Sequence, residues 1–265
     1  AQTGALVPRK LKVGDAILAN DSVVTSAGAV VTIEQVTGAT TTLNASEQAA
    51  FGAAKVALFS QYPDMSDGTS GSPDQRGAAD DDALVNFLRG QRAREGFVAK
   101  DPVKRYRKRE GVLGDIVDAQ PVFVQAPFAA YSDTGYQAFK ADNANRKSMI
   151  YAAANDGMLH AFYGGVVSVD GNGVTSIDST GGREAWAFIP TAVLGNMYKL
   201  ADYDYGKRHT FLVDGTPTVG DVYDTAATAW KTILVAGLNK GGKAYYALDV
   251  TDPDSPKALW EFKWS

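Results

Sequence analysis

One pattern of strands occurs twice in this chain, in the same order both times. The apolar run of residues 149–154 stops at an Asn-Asp-Gly turn and restarts as residues 158–163, which predicts a β-hairpin. A second hairpin is predicted from residues 232–237, a turn at residues 239–242 and a return strand at residues 244–250. Such repetition favours a repeat architecture, in which each unit buries its apolar face against its neighbour.

The repeated unit is longer than the hairpin. A Val-Asp-x-x-Pro motif stands before each hairpin, at residues 117–121 and 213–217, and a Trp-x-Phe motif follows each, at Trp186 and Trp260. We therefore predict a leading strand, a hairpin and a closing strand in each unit. Four short antiparallel strands of this kind make one blade of a β-propeller.

Two shorter segments precede the predicted blades. Residues 1–79 are expected to form a mixed α/β segment, with short Val- and Thr-rich strands and a helix that begins after Ser46. Residues 80–112 are expected to form a helix and a basic linker. Three aspartates open that helix, and its apolar stripe is Leu84, Phe87 and Leu88. The predicted fold is thus mainly β, with a partial propeller of about two blades over residues 113–265.

A basic cluster lies between the predicted helix and the first blade. Its members are Lys100, Lys104, Arg105, Tyr106, Arg107, Lys108 and Arg109. One interpretation is a nucleic-acid or polyanion patch in which the tyrosine stacks on bases. The other is a solvated linker that faces the acidic residues 80–82. The net charge of -4 and pI near 5.2 give no long-range attraction to nucleic acid or anionic lipid, so we favour the linker.

Three long insertions separate the predicted strands, at residues 126–147, 166–182 and 191–209. Propellers place such loops on their faces, where binding takes place. The third insertion is rich in aromatic and acidic residues, and we predict a partner-contact surface there, made by Tyr198, Tyr203, Asp204 and Tyr205. The alternative is a loop that packs over its own blade.

Catalytic chemistry has little support in this sequence, and no catalytic, cofactor-binding or metal-binding residue is predicted. The chain has no cysteine, which excludes disulfides and thiolate chemistry. Its two histidines, His160 and His209, have neither triad partners nor zinc-site spacing, so we expect both to be structural. No apolar run is long enough to cross a membrane.

Two pairs of residues recur at equivalent blade positions. Trp186 and Trp260 are expected to pack between blades, with ligand stacking as the lesser alternative. Asp118 and Asp214 recur within the Val-Asp-x-x-Pro motif. Recurrence indicates a repeated structural bond in preference to a unique catalytic base.

The blade motifs together resemble the C-terminal β-propeller of the PilY1/PilC family, type IV pilus tip-associated adhesins and biogenesis factors. The resemblance covers about residues 80–265 and is carried by residues 84–90, 113–122, 154–162, 186–190, 213–217 and 241–253. It implies an exported, extracellular protein at the pilus tip. Such a protein is not an enzyme; it associates with minor pilins, promotes pilus extension and attaches to a surface or host receptor.

Two departures from the family pattern matter. The family's propeller has about seven blades, and two blades cannot close a ring, so the last sheet should have an open apolar face. We therefore expect further blades and a signal sequence in a longer precursor. The family's acidic calcium loop belongs to later blades, and the nearest stretch here is Asp170 to Val174 with Asp178 beyond it. Its sixth position is Thr175 where calcium loops need glycine, so we expect a β-turn and place any calcium elsewhere in the full-length protein.

Two other functions remain open at this point. Trp-bearing blades also occur in quinone-dependent dehydrogenases, which makes a quinoprotein-like enzyme the alternative from another class. That enzyme would need a complete ring with an acidic base and a metal on its axis. A third possibility is a purely structural pilus scaffold that docks minor pilins without binding a receptor, and the sequence does not separate it from an adhesin.

Overall fold

The computed structural model describes residues 83–98, 101, 103–169, 175–177 and 180–263, together with residue 69 and four short strands nearer the N-terminus. These strands are β1 (Leu11–Val13), β2 (Ala16–Leu18), β3 (Ser22–Val24) and β4 (Val30–Thr32). Strands β2, β3 and β4 form a small antiparallel sheet. The helix predicted after Ser46 and the acidic residues 80–82 lie outside the described residues.

The first blade contains the first predicted hairpin. Its four antiparallel strands, in sheet order, are β5 (Val122–Val124), β6 (Met149–Ala154), β7 (Met158–Tyr163) and β10 (Glu184–Ile189). A separate hairpin of β8 (Val167–Val169) and β9 (Thr175–Ile177) lies between β7 and β10 in sequence. Strand β1 pairs in parallel with β10 and extends this sheet to five strands.

The second blade is formed by four consecutive antiparallel strands. They are β11 (Thr218–Asp224), β12 (Ala229–Gly237), β13 (Ala244–Asp249) and β14 (Lys257–Lys263). Both predicted hairpins and both closing strands are confirmed. One detail differs: each leading strand begins just after the proline of the Val-Asp-x-x-Pro motif, because proline has no N–H to donate to a sheet.

The connections between strands emerge at two opposite ends of the blades, because neighbouring strands run in opposite directions. Insertion 126–147, which contains helix α2 (Tyr136–Asp142), emerges at the same end of the sheets as the β8–β9 hairpin and the β11–β12 turn. We call this end the helix face. The two hairpin turns of the blades and the inter-blade segment 190–217 emerge at the opposite end, the linker face. Helix α1 (Ala83–Leu88) lies on the linker face, against the 3-10 helix Thr191–Ala201.

The core lies largely between the two blades. Trp186 is 1% exposed, its ring centroid is 5.7 Å from that of Tyr151, and its indole Nε1 donates to the Pro253 carbonyl oxygen at 2.8 Å. The predicted packing between blades is therefore confirmed for Trp186. It is wrong for Trp260 in this structure, because the Trp260 side chain is 48% exposed. Tyr245 and Phe262, which are 57% and 53% exposed, lie on the same side of the second blade as Trp260.

Hydrogen bonds also join the blades near their leading strands. The Asp118 amide donates to Asp214 Oδ1 at 3.1 Å, and the Gln120 amide donates to Thr216 Oγ1 at 3.0 Å. Each bond joins residues 96 positions apart, so the two Val-Asp-x-x-Pro motifs lie side by side in register. The recurring aspartates are thus bonded to each other, as a structural role requires.

Candidate functional site

A pocket of about 320 Å³ opens on the linker face. It lies between the basic segment, the hairpin turn of the first blade and the inter-blade segment. Its lining residues are Phe87, Leu88, Arg107, Lys108, Arg109, Glu110, Gly111, Val112, Leu113, Gly114, Asp115, Asn155, Asp156, Leu200 and Tyr205. Apolar and charged groups of three separate segments therefore meet in one cavity.

The basic segment forms one wall of the pocket, and much of it is buried. Arg109 pairs with Glu95, with Nε 2.6 Å from Oε1, and its guanidinium lies over the ring of Phe87. Burial lowers the pKa of Arg109, and the hydrogen bond that Arg109 donates to Glu95 opposes that shift. Tyr106 is 2% exposed and its ring packs against Phe87. The solvated linker is therefore wrong for Tyr106 and Arg109, and the buried Tyr106 ring is not available to stack on bases. Both residues anchor the segment to helix α1.

Arg107 connects the basic segment to the inter-blade segment. Its Nε donates to the Leu200 carbonyl oxygen at 2.5 Å, and its backbone amide donates to the Ala201 carbonyl oxygen at 3.1 Å. The guanidinium also lies 4.6 Å from the ring centroid of Tyr205. Desolvation lowers the pKa of Arg107, with the nearby acids opposing it, so this side chain is a partly buried cation at the edge of the cavity.

The four residues predicted to contact a partner do not form one surface. Tyr198 and Tyr205 are 6% and 7% exposed and belong to the core, as the alternative of a self-packed loop requires. Asp204 is largely covered, with Oδ2 3.6 Å from Arg208 Nε. Tyr203 alone of the four is exposed, at 51%, and it stacks on Phe97 at 4.8 Å. Of the predicted surface, only Tyr203 is available to a partner.

Both histidines make structural contacts. His160 is fully buried, with Nδ1 2.6 Å from Glu184 Oε1 and Nε2 3.0 Å from Asp156 Oδ1. His209 Nε2 lies 2.8 Å from Asp115 Oδ2, which also accepts from the Asn155 side-chain amide. These contacts hold the first hairpin turn against its neighbours, which agrees with the structural role expected for them.

The helix face has an aromatic cluster that the sequence analysis missed. Tyr131 stacks on Trp230 with ring centroids 5.6 Å apart, and Trp230 Nε1 donates to the Thr134 carbonyl oxygen. Tyr223 contacts the edge of Trp230, and Phe128 nearby in sequence is 88% exposed. The signal was available, because insertion 126–147 is rich in aromatics and strand direction places it beside the β11–β12 turn.

The possible calcium stretch lies outside the described residues over Asp170 to Val174 and at Asp178. Elsewhere in the described part, no group of three or more His, Asp or Glu side chains is placed to hold a metal ion. A search of the described helices finds none with the length and hydropathy of a membrane span.

Known proteins are similar in sequence to this chain over both blades. The family model of the PilY1 beta-propeller domain matches residues 113–264, which span both blades. The chain belongs to the PilY1 family. It is 40% identical to the "Type IV pilus biogenesis factor PilY1 homolog" of Xylella fastidiosa (strain Temecula1) over 184 residues, which cover 67% of this chain and 13% of that protein.

The chain is also similar to a second relative and to one solved structure. The chain is 37% identical to the "Type IV pilus biogenesis factor PilY1" of Pseudomonas aeruginosa (strain PAK) over 199 residues, 71% of this chain and 15% of the relative. It therefore spans less than a sixth of these relatives. The crystal structure of the P. aeruginosa PilY1 C-terminal domain aligns with a TM-score of 0.36 at 31% identity, covering 53% of this chain and 25% of that one.

Proposed function

We propose that this chain acts in type IV pilus biogenesis as part of an extracellular, tip-associated protein that contacts minor pilins. The observation that carries the proposal is the family match, which runs through both blades. The named relatives are pilus biogenesis factors, which favours this function over the quinone-dependent dehydrogenase. The dehydrogenase interpretation rests only on the shared blade design.

The two blades serve in this proposal as a rigid support for binding loops. Hydrogen bonds from Tyr136 to Asp221 and from Tyr163 to Asp254, both 2.7 Å, fix the helix-face insertion and the first blade to the second blade. Loops held in this way keep their contact residues in one arrangement, which lowers the entropic cost of binding.

Each face presents its own candidate contact. The linker face presents Tyr203, and the helix face presents Phe128, Tyr131 and Tyr223. Exposed aromatic clusters are typical of interaction surfaces, and tyrosine and tryptophan are enriched among the residues that dominate binding energy. We assign adhesion to the helix face and pilin contact to the linker face.

Variants at the two faces test this assignment in the bacterium that encodes the protein. Tyr203→Ala should reduce the number of surface pili. The double variant Phe128→Ser with Tyr131→Ser should reduce attachment while pili remain. Exposed Lys207, in the same segment as Tyr203, provides the control Lys207→Ala, which should change neither readout. Normal piliation and attachment in both test variants would contradict the assignment, and loss of pili in the double variant would favour a pure assembly scaffold.

A further inference from the structure

The pocket on the linker face contains hydrogen-bond donors that no described protein group satisfies. Arg107 uses Nε on the Leu200 carbonyl oxygen, whereas its two terminal amino groups have no hydrogen-bond partner in the described structure. The guanidinium is half-buried and one side of it is covered by the Tyr205 ring. Donors that have lost part of their water without gaining a protein acceptor are costly, so the two terminal amino groups favour the binding of an acceptor.

A run of free backbone amides lies beside this cation. Gly111, Val112 and Leu113 line the same pocket, and their backbone N–H groups form no hydrogen bond within the described residues. The next amide, that of Gly114, donates to Asp156 Oδ2 at 2.9 Å. Backbone N–H groups that lack an acceptor at the wall of a cavity favour negative charge there.

Two of the acids that line the pocket are already engaged. Asp115 accepts from the Asn155 amide and lies beside His209, while Asp156 accepts from Gly114 and contacts His160. Glu110 is exposed at the rim, where the equally exposed Lys108 balances its charge. The pocket therefore has more unpaired donors than unpaired acceptors.

We propose that this pocket binds a carboxylate of a partner polypeptide, from either a C-terminus or an acidic side chain. The planar guanidinium of Arg107 would hold the two carboxylate oxygens, and the loop amides would complete the coordination. The apolar walls made by Phe87, Leu88 and Leu200 suit the side chain next to that carboxylate. A cavity of about 320 Å³ fits one or two residues of a peptide. This inference rests on the pocket and does not require the pilus function.

Amide NMR of the 265-residue chain with three short peptides tests the proposal. Acetyl-Ala-Ala-Leu with a free C-terminus supplies a terminal carboxylate, and acetyl-Ala-Glu-Leu-amide supplies a side-chain carboxylate. Acetyl-Ala-Gln-Leu-amide is the uncharged control. We expect saturable shifts at residues 111–114 with at least one charged peptide, and affinity at least about tenfold weaker for the control. Whichever charged peptide binds more tightly identifies the source of the carboxylate.

Substitution of Arg107 tests the assigned group. Arg107→Lys keeps the charge but loses the planar fork, and should weaken binding of the charged peptide by about tenfold or more. Arg208→Gln, on a 75% exposed arginine outside the pocket, should leave binding unchanged. Equal binding of the control peptide, wild-type affinity in Arg107→Lys, shifts confined to another region, or no saturation up to about 10 mM would each overturn the proposal.

Discussion

At the scale of single residues, buried charge is what attaches the basic segment to the rest of the protein. The side chains of Arg109 and Glu95 are 6% and 7% exposed, and Arg109 also donates to the carbonyl oxygens of Phe87 and Gln91. Removing one member of a buried pair leaves the other charge desolvated and unpaired. The stability of this region therefore depends on both partners being present.

Arg109→Gln should lower the free energy of unfolding by about 3–5 kcal/mol, because Glu95 then stays buried without its cation. Urea unfolding followed by circular dichroism measures the change. The matched control is Lys147→Gln, which breaks an ion pair with Asp254 whose side chains are 58% and 40% exposed. That control should cost at most about 1 kcal/mol. Equal losses in the two variants would contradict the buried role of Arg109.

At Gly241 the backbone of Leu212 lies so close that no room is left for a side chain. A Cβ placed there would overlap the backbone of Leu212, whereas a Cβ at Gly220 would meet no atom within 4 Å. Gly241→Ala should therefore lower the midpoint of urea unfolding and cost about 1–3 kcal/mol. Gly220→Ala should leave the stability unchanged or raise it by up to about 1 kcal/mol. A tolerated Gly241→Ala would show that the hairpin turn of the second blade can move away from Leu212.

Residue types alone did not reveal the burial of the basic segment. Tyr106, Arg107 and Arg109 occur in a run of charges that is typical of an exposed linker. Leu200 and Tyr205, the partners of Arg107, lie more than 90 positions away in sequence, so these contacts depend on the tertiary fold. The same holds for the predicted contact residues Tyr198 and Tyr205, whose burial no local pattern marks.

At the scale of structural elements, the strands were predictable because local patterns determine them. Apolar runs interrupted by Asn- and Gly-rich turns located both hairpins, and the repeated tryptophans located the closing strands. The insertions were not predictable in the same way, since their packing depends on which strand ends share a face. Helix α2 and the aromatic cluster around Trp230 belong to this second class.

Replacing the two equivalent tryptophans, Trp186 and Trp260, with alanine should lower the unfolding free energy by different amounts. Trp186→Ala removes a fully buried ring and its hydrogen bond to Pro253, and should cost about 3–5 kcal/mol in unfolding free energy. Trp260 occupies the same blade position but is 48% exposed, so Trp260→Ala should lower the unfolding free energy by about 1 kcal/mol or less in this chain. Urea titration of the two variants gives both values. Equal costs would contradict the packing of the first blade against the second.

Contacts between the blades should weaken at high pH. Burial and a hydrogen bond to Asp221 raise the pKa of Tyr136 to about 12, and burial and a hydrogen bond to Asp254 raise the pKa of Tyr163 to about 12. Unfolded tyrosine titrates near pH 10, so the folded state holds these protons more tightly. Their contribution is complete below about pH 10 and is lost as the pH rises to about 12.

Unfolding free energies measured between pH 9 and pH 12 test this dependence. The unfolding free energies of Tyr136→Phe and Tyr163→Phe should each decline less steeply with pH than that of the parent chain, because one titrating phenol has been removed. Tyr245→Phe is the control, since Tyr245 is 57% exposed and lies on the same side of the second blade as Trp260. A parent-like slope in both test variants would contradict the role of these two phenols.

At the scale of the whole molecule, two blades form one body with two distinct faces. Packing around Trp186 joins the sheets, while the Val-Asp-x-x-Pro motifs and the two tyrosine–aspartate bonds link them at both ends. The side of the second blade with Tyr245, Trp260 and Phe262 is about half exposed, whereas the equivalent side of the first blade packs against the second blade through Trp186. The shape presents loops on either face for partners, as the proposed pilus function requires.

Counting surface pili in a strain from which this protein has been deleted tests the central claim most directly. We expect the deletion to remove most surface pili, and reintroduction of the protein to restore them. Electron microscopy gives the counts, with total pilin measured in parallel to show that the subunit is still made. Unchanged numbers of pili in the deletion strain would contradict a role in pilus biogenesis.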